Sequence, residues 1–374
     1  MKREDLFDLA IGKMEDQLHF FIQGDTPISR KNTLLYDDGL FYLANGPASK
    51  LMEFTRFGEL TLLLYQPANN PEPVMLPKIT ESASKEILTR RAVAVPFQNI
   101  GSIGIDTFKN IYIEDQIATK DYRDENGTIL RKIIRRYDRY GNALDIIGRE
   151  GINGTPFSYI RNFTITENNN LVVVTQTKSN FVIYWFSPEM KLLYELVLDP
   201  ELLPRKDTDP SLPTLDTIFP DFRENKLYLM LTYFQYGQDT STKIVNRIIH
   251  SESRIYTFDL KTQSYASQFV SIPAETASYD LFSKDSPASP TPYTLLGISE
   301  NGYFYLLKMR NNTSYQLLVL NDQGNIFKKA RLFIDNTDVI FLDFYLSRDG
   351  LIYALIGERT QARITWWRSD QLGL

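Results

Sequence analysis

The stretch ISENGYFYLLKMRNNTSYQLLVLNDQGNIF, from Ile298 to Phe327, decides the fold. A polar turn at 299–302 precedes an aromatic run, and a polar Asn-Asn-Thr-Ser loop separates that run from a second apolar run at 315–320. The second run ends in Asn-Asp-Gln-Gly, in which Asn and Gly supply the positive φ that tight hairpin turns need. The pattern therefore predicts a three-strand antiparallel meander with a turn at each end.

The same tight turn, followed by the same kind of strand, occurs six times along the chain. The six turns are Asp37-Asp38-Gly39, residues 106–110, residues 167–170, residues 223–226, Glu300-Asn301-Gly302 and Arg348-Asp349-Gly350. Each copy has a second strand and turn downstream, and insertions make the spacing unequal. Repeats of about 40 to 50 residues built only of strands favour a propeller over a solenoid. We predict an all-β, six-bladed β-propeller of four-stranded antiparallel blades, with seven blades as the alternative.

The sixth copy lacks its outer strand, because only four residues follow the segment 366–370. The segment QLHFFIQ, Gln17 to Gln23, has the composition of a strand, so we expect it to pair with Ile364 to Arg368 and close the last blade. This assigns residues 1–16 to an N-terminal arm and residues 17–374 to a single propeller domain. His19 is then expected to be a half-buried strand residue.

Composition excludes several classes of function. A net charge of −5 argues against nonspecific nucleic-acid binding, which needs clustered Lys and Arg to neutralise phosphates. The absence of Cys excludes disulfides, thiol nucleophiles and cysteine metal sites, and two His residues exclude a histidine-rich metal centre. No apolar run approaches the roughly 18 residues of a membrane span, and no signal peptide is recognised. No cofactor is expected.

The positions of the long insertions carry the main functional inference. In a four-stranded antiparallel blade, the first-to-second and third-to-fourth strand turns lie on one face, which we call the tight-turn face. All other connections lie on the opposite face, which we call the loop face. The long insertions all fall on the loop face: Gln66 to Phe97, Gln116 to Arg131, Asp199 to Leu215, Tyr236 to Ser253 and Pro273 to Pro292. Variable surface loops of this kind carry binding.

Within the loop face, we expect exposed aromatic and basic residues to anchor a protein partner, because interface anchors are enriched in Tyr and Arg. The candidates are Tyr122, Arg123, Tyr233, Phe234 and Tyr236. The last three lie near the end of a strand, so Tyr233 and Phe234 are equally compatible with burial.

A basic cluster alternates with isoleucines at the start of a strand and is interpreted mainly as the solvated edge of a hairpin, with binding of an acidic partner as the alternative. Its members are Arg131, Lys132, Arg135 and Arg136. Acidic turns such as Asp37-Asp38 lack the ligand ladder of a calcium loop and are interpreted as turn chemistry. No sequence signal selects a carboxylate pair for glycoside hydrolysis, because such a pair is defined in space.

Two segments resemble a known family: DLFDLAIGKMEDQLHFF near the N-terminus, and DDGLFYLANGPASKLMEFTRFGELTLLLYQPANNPEPVMLP from Asp37 to Pro77. Both are similar to the spirochaetal NHL-like β-propeller lipoproteins associated with outer-membrane protein assembly. The resemblance implies a periplasmic accessory of the β-barrel assembly (BAM) machinery, with a role like that of BamB and a BamA-type partner. It also implies an outer-membrane lipid anchor. The chain has no lipobox cysteine and begins Met1-Lys2-Arg3, so it resembles a mature region without its acylation site.

Two hypotheses of different classes follow. The first is a non-enzymatic protein-interaction scaffold, monomeric in isolation, that uses the loop face. The second is a propeller enzyme or small-ligand binder of the sugar hydrolase or lactonase type, with acidic residues at the central channel. The lack of Cys and the scarcity of His favour the first. Converging Asp, Glu or Asn side chains at the channel mouth would favour the second.

Overall fold

The computed structural model describes residues 1–20, 31–77, 90–118, 122–205, 212–238, 245–273, 292–335 and 337–372, with backbone only at 212, 235–238, 245–249 and 371–372. Almost all of the regular structure in these ranges is β-strand. Three short 3₁₀ turns lie at Gly46–Ala48, Pro200–Leu202 and Ser369–Leu372. The described residues contain no helix with the length and apolar composition needed to cross a membrane.

The described strands form six blades, as predicted. Strand β1 (Arg3–Ala10) precedes the first blade, which contains β2 (Asn32–Asp37), β3 (Leu40–Asn45), β4 (Lys50–Thr55), β5 (Leu60–Tyr65) and an added parallel strand, β6 (Arg91–Ala94). The second blade contains β7 (Ile103–Ile105), β8 (Ile111–Gln116), β11 (Lys132–Tyr137), β12 (Ala143–Gly148) and β13 (Gly151–Ile152). A separate two-stranded sheet, β9 (Tyr122–Arg123) with β10 (Ile129–Leu130), is inserted between β8 and β11.

The remaining four blades have four strands each. The third contains β14 (Tyr159–Ile165), β15 (Leu171–Gln176), β16 (Phe181–Phe186) and β17 (Leu192–Leu198). The fourth contains β18 (Leu212–Pro220), β19 (Lys226–Gln238), β20 (Val245–Asp259) and β21 (Ser264–Ile272). The fifth contains β22 (Thr294–Ile298), β23 (Phe304–Asn311), β24 (Ser314–Leu320) and β25 (Ile326–Phe333). The sixth contains β26 (Phe341–Leu346), β27 (Ile352–Gly357), β28 (Gln361–Trp367) and the N-terminal strand β1.

Side-chain patterning explains the place of each strand in its blade. The second strand is apolar on both faces, as in Leu171–Val174 of β15, because neighbouring blades cover both sides of it. The outer strand alternates, as in β17, because one of its faces meets solvent. Apolar clusters consequently lie between adjacent blades; Trp185 of the third blade, for example, packs with Leu229 of the fourth.

The repeated tight turn has one geometry in several blades. Its first residue is Asp, Ser or Thr, whose side-chain oxygen accepts from a backbone N–H later in the turn, as Asp106 Oδ1 does from Asn110 at 2.8 Å. A later turn position has positive φ and is filled by Gly302, Gly350, Asn169 or Lys109. Gly and Asn reach this conformation at least steric cost, which is why the turn was recognisable in the sequence.

The last blade is closed by an N-terminal strand, as predicted, but by a different segment from the one expected. Strand β1 pairs antiparallel with β28, with Arg3 opposite Trp367 and Ala10 opposite Gln361. The prediction that Gln17 to Gln23 makes this pairing is wrong. The closing strand therefore lies within the segment that the sequence assigned to an arm.

Residues 17–20 instead return along the first blade. Leu18 is fully buried, and its N–H donates to the carbonyl of Ala10 at 2.9 Å. The backbone of His19 exchanges hydrogen bonds with the Asn45 side chain at 3.0 and 2.8 Å, so His19 is half-buried but lies outside any strand. Residues 21–23 of the expected strand lie outside the described residues.

Candidate functional site

The strand order places the connections on two faces, as expected. Tight turns join the first strand to the second in each of the six blades, and the third strand to the fourth in the first five. The strand ends that the long connections join, from β5 to β7, β8 to β11, β17 to β18 and β21 to β22, all lie on the opposite side. The segment Tyr236 to Ser253 differs from expectation, because most of its described part is a continuation of β19 and β20 as a long hairpin and not an irregular loop.

The β9–β10 hairpin displays two of the predicted residues. Asp124 holds its turn, because its Oδ1 accepts from the N–H of Thr128 at 2.7 Å, and Gly127 adopts a φ of +73°. Arg123 is exposed and donates from Nη1 to the carbonyl of Gly127 at 3.1 Å. The Tyr122 side chain is 55% exposed. This hairpin therefore presents an aromatic and a guanidinium to solvent on the loop face.

A cleft of about 450 Å³ lies between this hairpin and the third blade. Charged residues of both signs line it: Asp124, Arg149, Lys178 and Glu195. Polar residues of the β15–β16 turn, including Asn180, complete the lining. The mixed charges and open shape suit a peptide segment better than a small apolar molecule.

The other three predicted residues are placed differently. Tyr233 is fully buried, with its hydroxyl donating to the Pro204 carbonyl at 2.7 Å, and burial raises its pKa. It is a core residue and not an exposed anchor. Phe234 is half-buried, and its ring packs edge-to-face against His250 with centroids 6.2 Å apart. Tyr236 pairs with Ile248 through the backbone, and its side chain lies outside the described residues.

The basic cluster is mostly engaged within the second blade. Lys132 pairs with Glu114 at 2.9 Å, Arg135 with Asp115 at 2.7 Å and Arg136 with Asp145 at 2.7 Å; of the four, only Arg131 is exposed. Burial alone would raise the pKa of Glu114, but Lys31 and Lys132 outweigh it and hold that pKa below its usual range. The cluster stabilises the blade and leaves little charge for an acidic partner.

A buried polar chain runs through the fourth blade. Thr232 donates to Asp216 and lies 3.0 Å from Ser253 Oγ, which in turn lies 3.0 Å from His250 Nε2. Burial raises the pKa of Asp216 and lowers the pKa of His250. Ser253 is only 2% exposed, so its hydroxyl is not an accessible nucleophile. These hydrogen-bonded side chains instead hold the strands of the fourth blade together.

The first strands of all six blades surround one cavity of about 450 Å³ that opens on the tight-turn face. Its walls are apolar, and its mouth is formed by the first tight turn of several blades. Neighbouring turns are tied together: Thr107 and Asn169 exchange hydrogen bonds at 2.9 and 2.7 Å, and the N–H of Glu300 donates to the Arg348 carbonyl at 2.7 Å. Hydrogen bonds between these neighbouring turns therefore stabilise the channel mouth.

Arg348 reaches from the sixth blade across this mouth. Its Nη2 donates to the carbonyls of Ile105 and Ile165, at 3.1 Å each, and its guanidinium lies 6.0 Å from the Phe222 ring centroid. In the sequence, Arg348 is recognisable only as part of the tight turn Arg348-Asp349-Gly350. Its placement at the channel could not be seen, because it depends on strands from three blades far apart in the chain.

Carboxylates also stand at the mouth, but they do not converge on an ion site. Asp37 and Asp38 belong to the first blade, Glu300 to the fifth and Asp349 to the sixth. Across the ranges that the structure describes, no group of three or more His, Asp or Glu side chains is arranged to hold a metal ion.

No protein-family model matches the sequence, and no curated protein matches it. Solved structures with a similar fold include a member of the DUF4221 family from Bacteroides vulgatus, with 8% identity over 98% of this chain and 97% of that chain, at a TM-score of 0.44. A subtype N10 neuraminidase-like protein (A/little yellow-shouldered bat/Guatemala) shares 12% identity over 98% and 99% of the two chains, at a TM-score of 0.41. A PL25 ulvan lyase shares 11% over 100% and 85%, at 0.42. With TM-scores below 0.5, these likenesses do not bear on the site.

Proposed function

We propose that the protein is a non-enzymatic protein-interaction scaffold that binds its partner through the loop face. The observation that carries this proposal is the β9–β10 hairpin, which holds Tyr122 and Arg123 exposed beside the cleft. Tyr and Arg are enriched at interface hot spots, because each offers a large contact area together with hydrogen-bond donors. The hairpin hydrogen-bonds with itself, so its display does not depend on a partner.

The finer assignment rests on the resemblance of the N-terminal segment and of Asp37 to Pro77 to the spirochaetal lipoproteins. We propose that the partner is a BamA-type component of the outer-membrane assembly machinery. The protein would then act in the periplasm, held at the outer membrane by an N-terminal lipid on the full-length protein. A scaffold of this kind requires no catalytic group.

The test replaces Tyr122 and Arg123 together with Ala in the lipidated full-length protein and measures co-purification of the assembly component from envelope membranes. A matched control replaces Arg56 and Phe57, an exposed Arg and aromatic pair in a turn of the tight-turn face; Phe57 is 72% exposed. We expect the hairpin variant to lose at least about tenfold in capture, as for a hot spot worth 1.4 kcal/mol or more, and the control to match the parent.

Equal capture by both variants and the parent would remove the loop face as the binding surface. Hairpin-dependent capture of a different envelope protein, without the assembly component, would keep the scaffold role and overturn the assignment to outer-membrane assembly.

A further inference from the structure

The described residues that line the central channel combine apolar walls with one basic side chain, that of Arg348. Each of the six first strands contributes an apolar wall residue: Leu35, Ile103, Phe163, Phe219, Leu296 and Leu346. Several of these side chains are only half-buried, so apolar surface faces the cavity. The volume of about 450 Å³ lies within the range typical of small-molecule sites, roughly 300–1,000 Å³.

Arg348 is held in place but retains donors. Its Nη2 is occupied by the carbonyls of Ile105 and Ile165. Its Nε and Nη1 have no hydrogen-bond partner among the residues that the structure describes, and Arg348 lines the cavity. A guanidinium positioned by two carbonyls and still carrying free N–H groups is preorganised to bind a carboxylate.

The rim restricts the charge of the ligand. Lys109 pairs with Asp37 at 2.6 Å and with Asp38 at 3.4 Å, which leaves Glu300 and Asp349 as the remaining acids beside Arg348. Glu300 is exposed, and its carboxylate has no partner in the described part of the chain. These acids disfavour phosphates and other polyanions, and they favour an ammonium group close to the carboxylate that Arg348 binds.

We infer that the channel binds a small zwitterion with an apolar body, specifically a hydrophobic α-amino acid. The ligand carboxylate pairs with Arg348, its ammonium lies toward Glu300 and Asp349, and its side chain enters the apolar channel beside Leu296. This site lies on the face opposite the proposed partner surface. It requires neither a metal nor a reaction step.

The experiment is isothermal titration of the purified full chain with L-phenylalanine, and separately with 3-phenylpropionate and phenethylamine, each of which lacks one charge. We expect phenylalanine to bind and both analogues to bind at least about tenfold more weakly, because each analogue lacks one of the two charged groups that pair with the site. The variant Arg348→Gln should lose affinity by at least the same factor. Glu300→Gln should reduce the preference for phenylalanine over 3-phenylpropionate.

Two further variants separate binding from folding. Leu296→Trp fills the channel without altering Arg348 and should abolish binding. Arg223→Gln is the matched control, because this guanidinium pairs with Glu167 in a neighbouring turn and does not line the cavity. The inference is overturned if phenylalanine does not bind the parent at millimolar concentration, if Leu296→Trp binds like the parent, or if 3-phenylpropionate binds as tightly as phenylalanine.

Discussion

Lys50 in β4 has no exposed surface, yet it carries a titratable amine. Its Nζ donates to the Met14 carbonyl at 2.5 Å, and burial lowers its pKa from 10.5 to about 7 despite the nearby Asp16 and Glu15 carboxylates. Between these two pKa values the unfolded chain binds more protons than the folded chain. The Lys50 contribution to the free energy of unfolding therefore rises with pH across this window.

We expect the free energy of unfolding to rise between pH 7 and pH 9, with Lys50 contributing up to about 1.4 kcal/mol per pH unit. Lys50→Met should flatten the slope, because the variant has no amine to titrate. Lys261→Met, at an exposed turn, is the control and should keep the slope of the parent. Urea unfolding at pH 7, 8 and 9 measures the change of the free energy of unfolding with pH. A slope in Lys50→Met equal to that of the parent would contradict the prediction.

The predicted anchors show what residue identity can and cannot predict. Tyr122 and Tyr233 are the same residue type, and the sequence predicted both to lie near the loop face. Tyr122 is exposed because its hairpin forms a separate sheet, whereas Tyr233 is buried because the segment containing Pro204 covers it and accepts its hydroxyl. That covering segment lies about 30 residues earlier in the chain, so local sequence does not reveal it.

At the scale of elements, the β9–β10 hairpin is expected to be dispensable for folding. In the part of the chain that the structure describes, its two strands pair only with each other, and most of its side chains are exposed. Replacing residues 122–129 with a Gly-Ser linker, which keeps the buried Leu130, should change the free energy of unfolding by less than about 1 kcal/mol. Tyr233→Ala is the contrasting variant and should cost about 3–5 kcal/mol. A comparable loss in both proteins, measured by chemical denaturation, would show that the hairpin supports the fold.

The closing strand shows where element prediction from sequence fails. The sequence REDLFDLA does not read as a strand, because its acidic residues interrupt the alternating apolar pattern to which Phe7 and Leu9 belong. In the blade these charges have partners across the pair: Asp8 accepts from Arg363 at 2.8 Å. An outer strand carries charges readily, since one edge and one face meet solvent. The segment Gln17 to Gln23 was more apolar, but apolar composition alone does not specify which edge a segment pairs with.

For the whole molecule, tight turns such as Ser299–Gly302 were enough to predict the blade count and the face on which long connections lie, because both follow from local turn chemistry and antiparallel alternation. The channel site was not predictable in this way. Arg348, Ile105 and Ile165 meet only when the ring closes, and no spacing in the sequence encodes that meeting.

Ring closure itself gives the last prediction. Strand β1 is hydrogen-bonded to the sixth blade, while the Phe7 ring packs against Phe41 and Phe54 of the first blade, with centroids 5.8 and 5.5 Å apart. One strand therefore joins the last blade to the first. Leu9→Asp places a charge at a buried position of this strand and should lower the free energy of unfolding by about 3 kcal/mol or more, whereas Ala10→Asp, at the exposed neighbouring position, should cost less than about 1 kcal/mol.

Since the ring cannot close without β1, deletion of residues 1–11 should destabilise all six blades together. Chemical denaturation followed by tryptophan fluorescence checks this, because Trp185 lies in the third blade and Trp366 and Trp367 lie in the sixth. A deletion variant with the midpoint of the parent would show that the ring holds without its N-terminal strand.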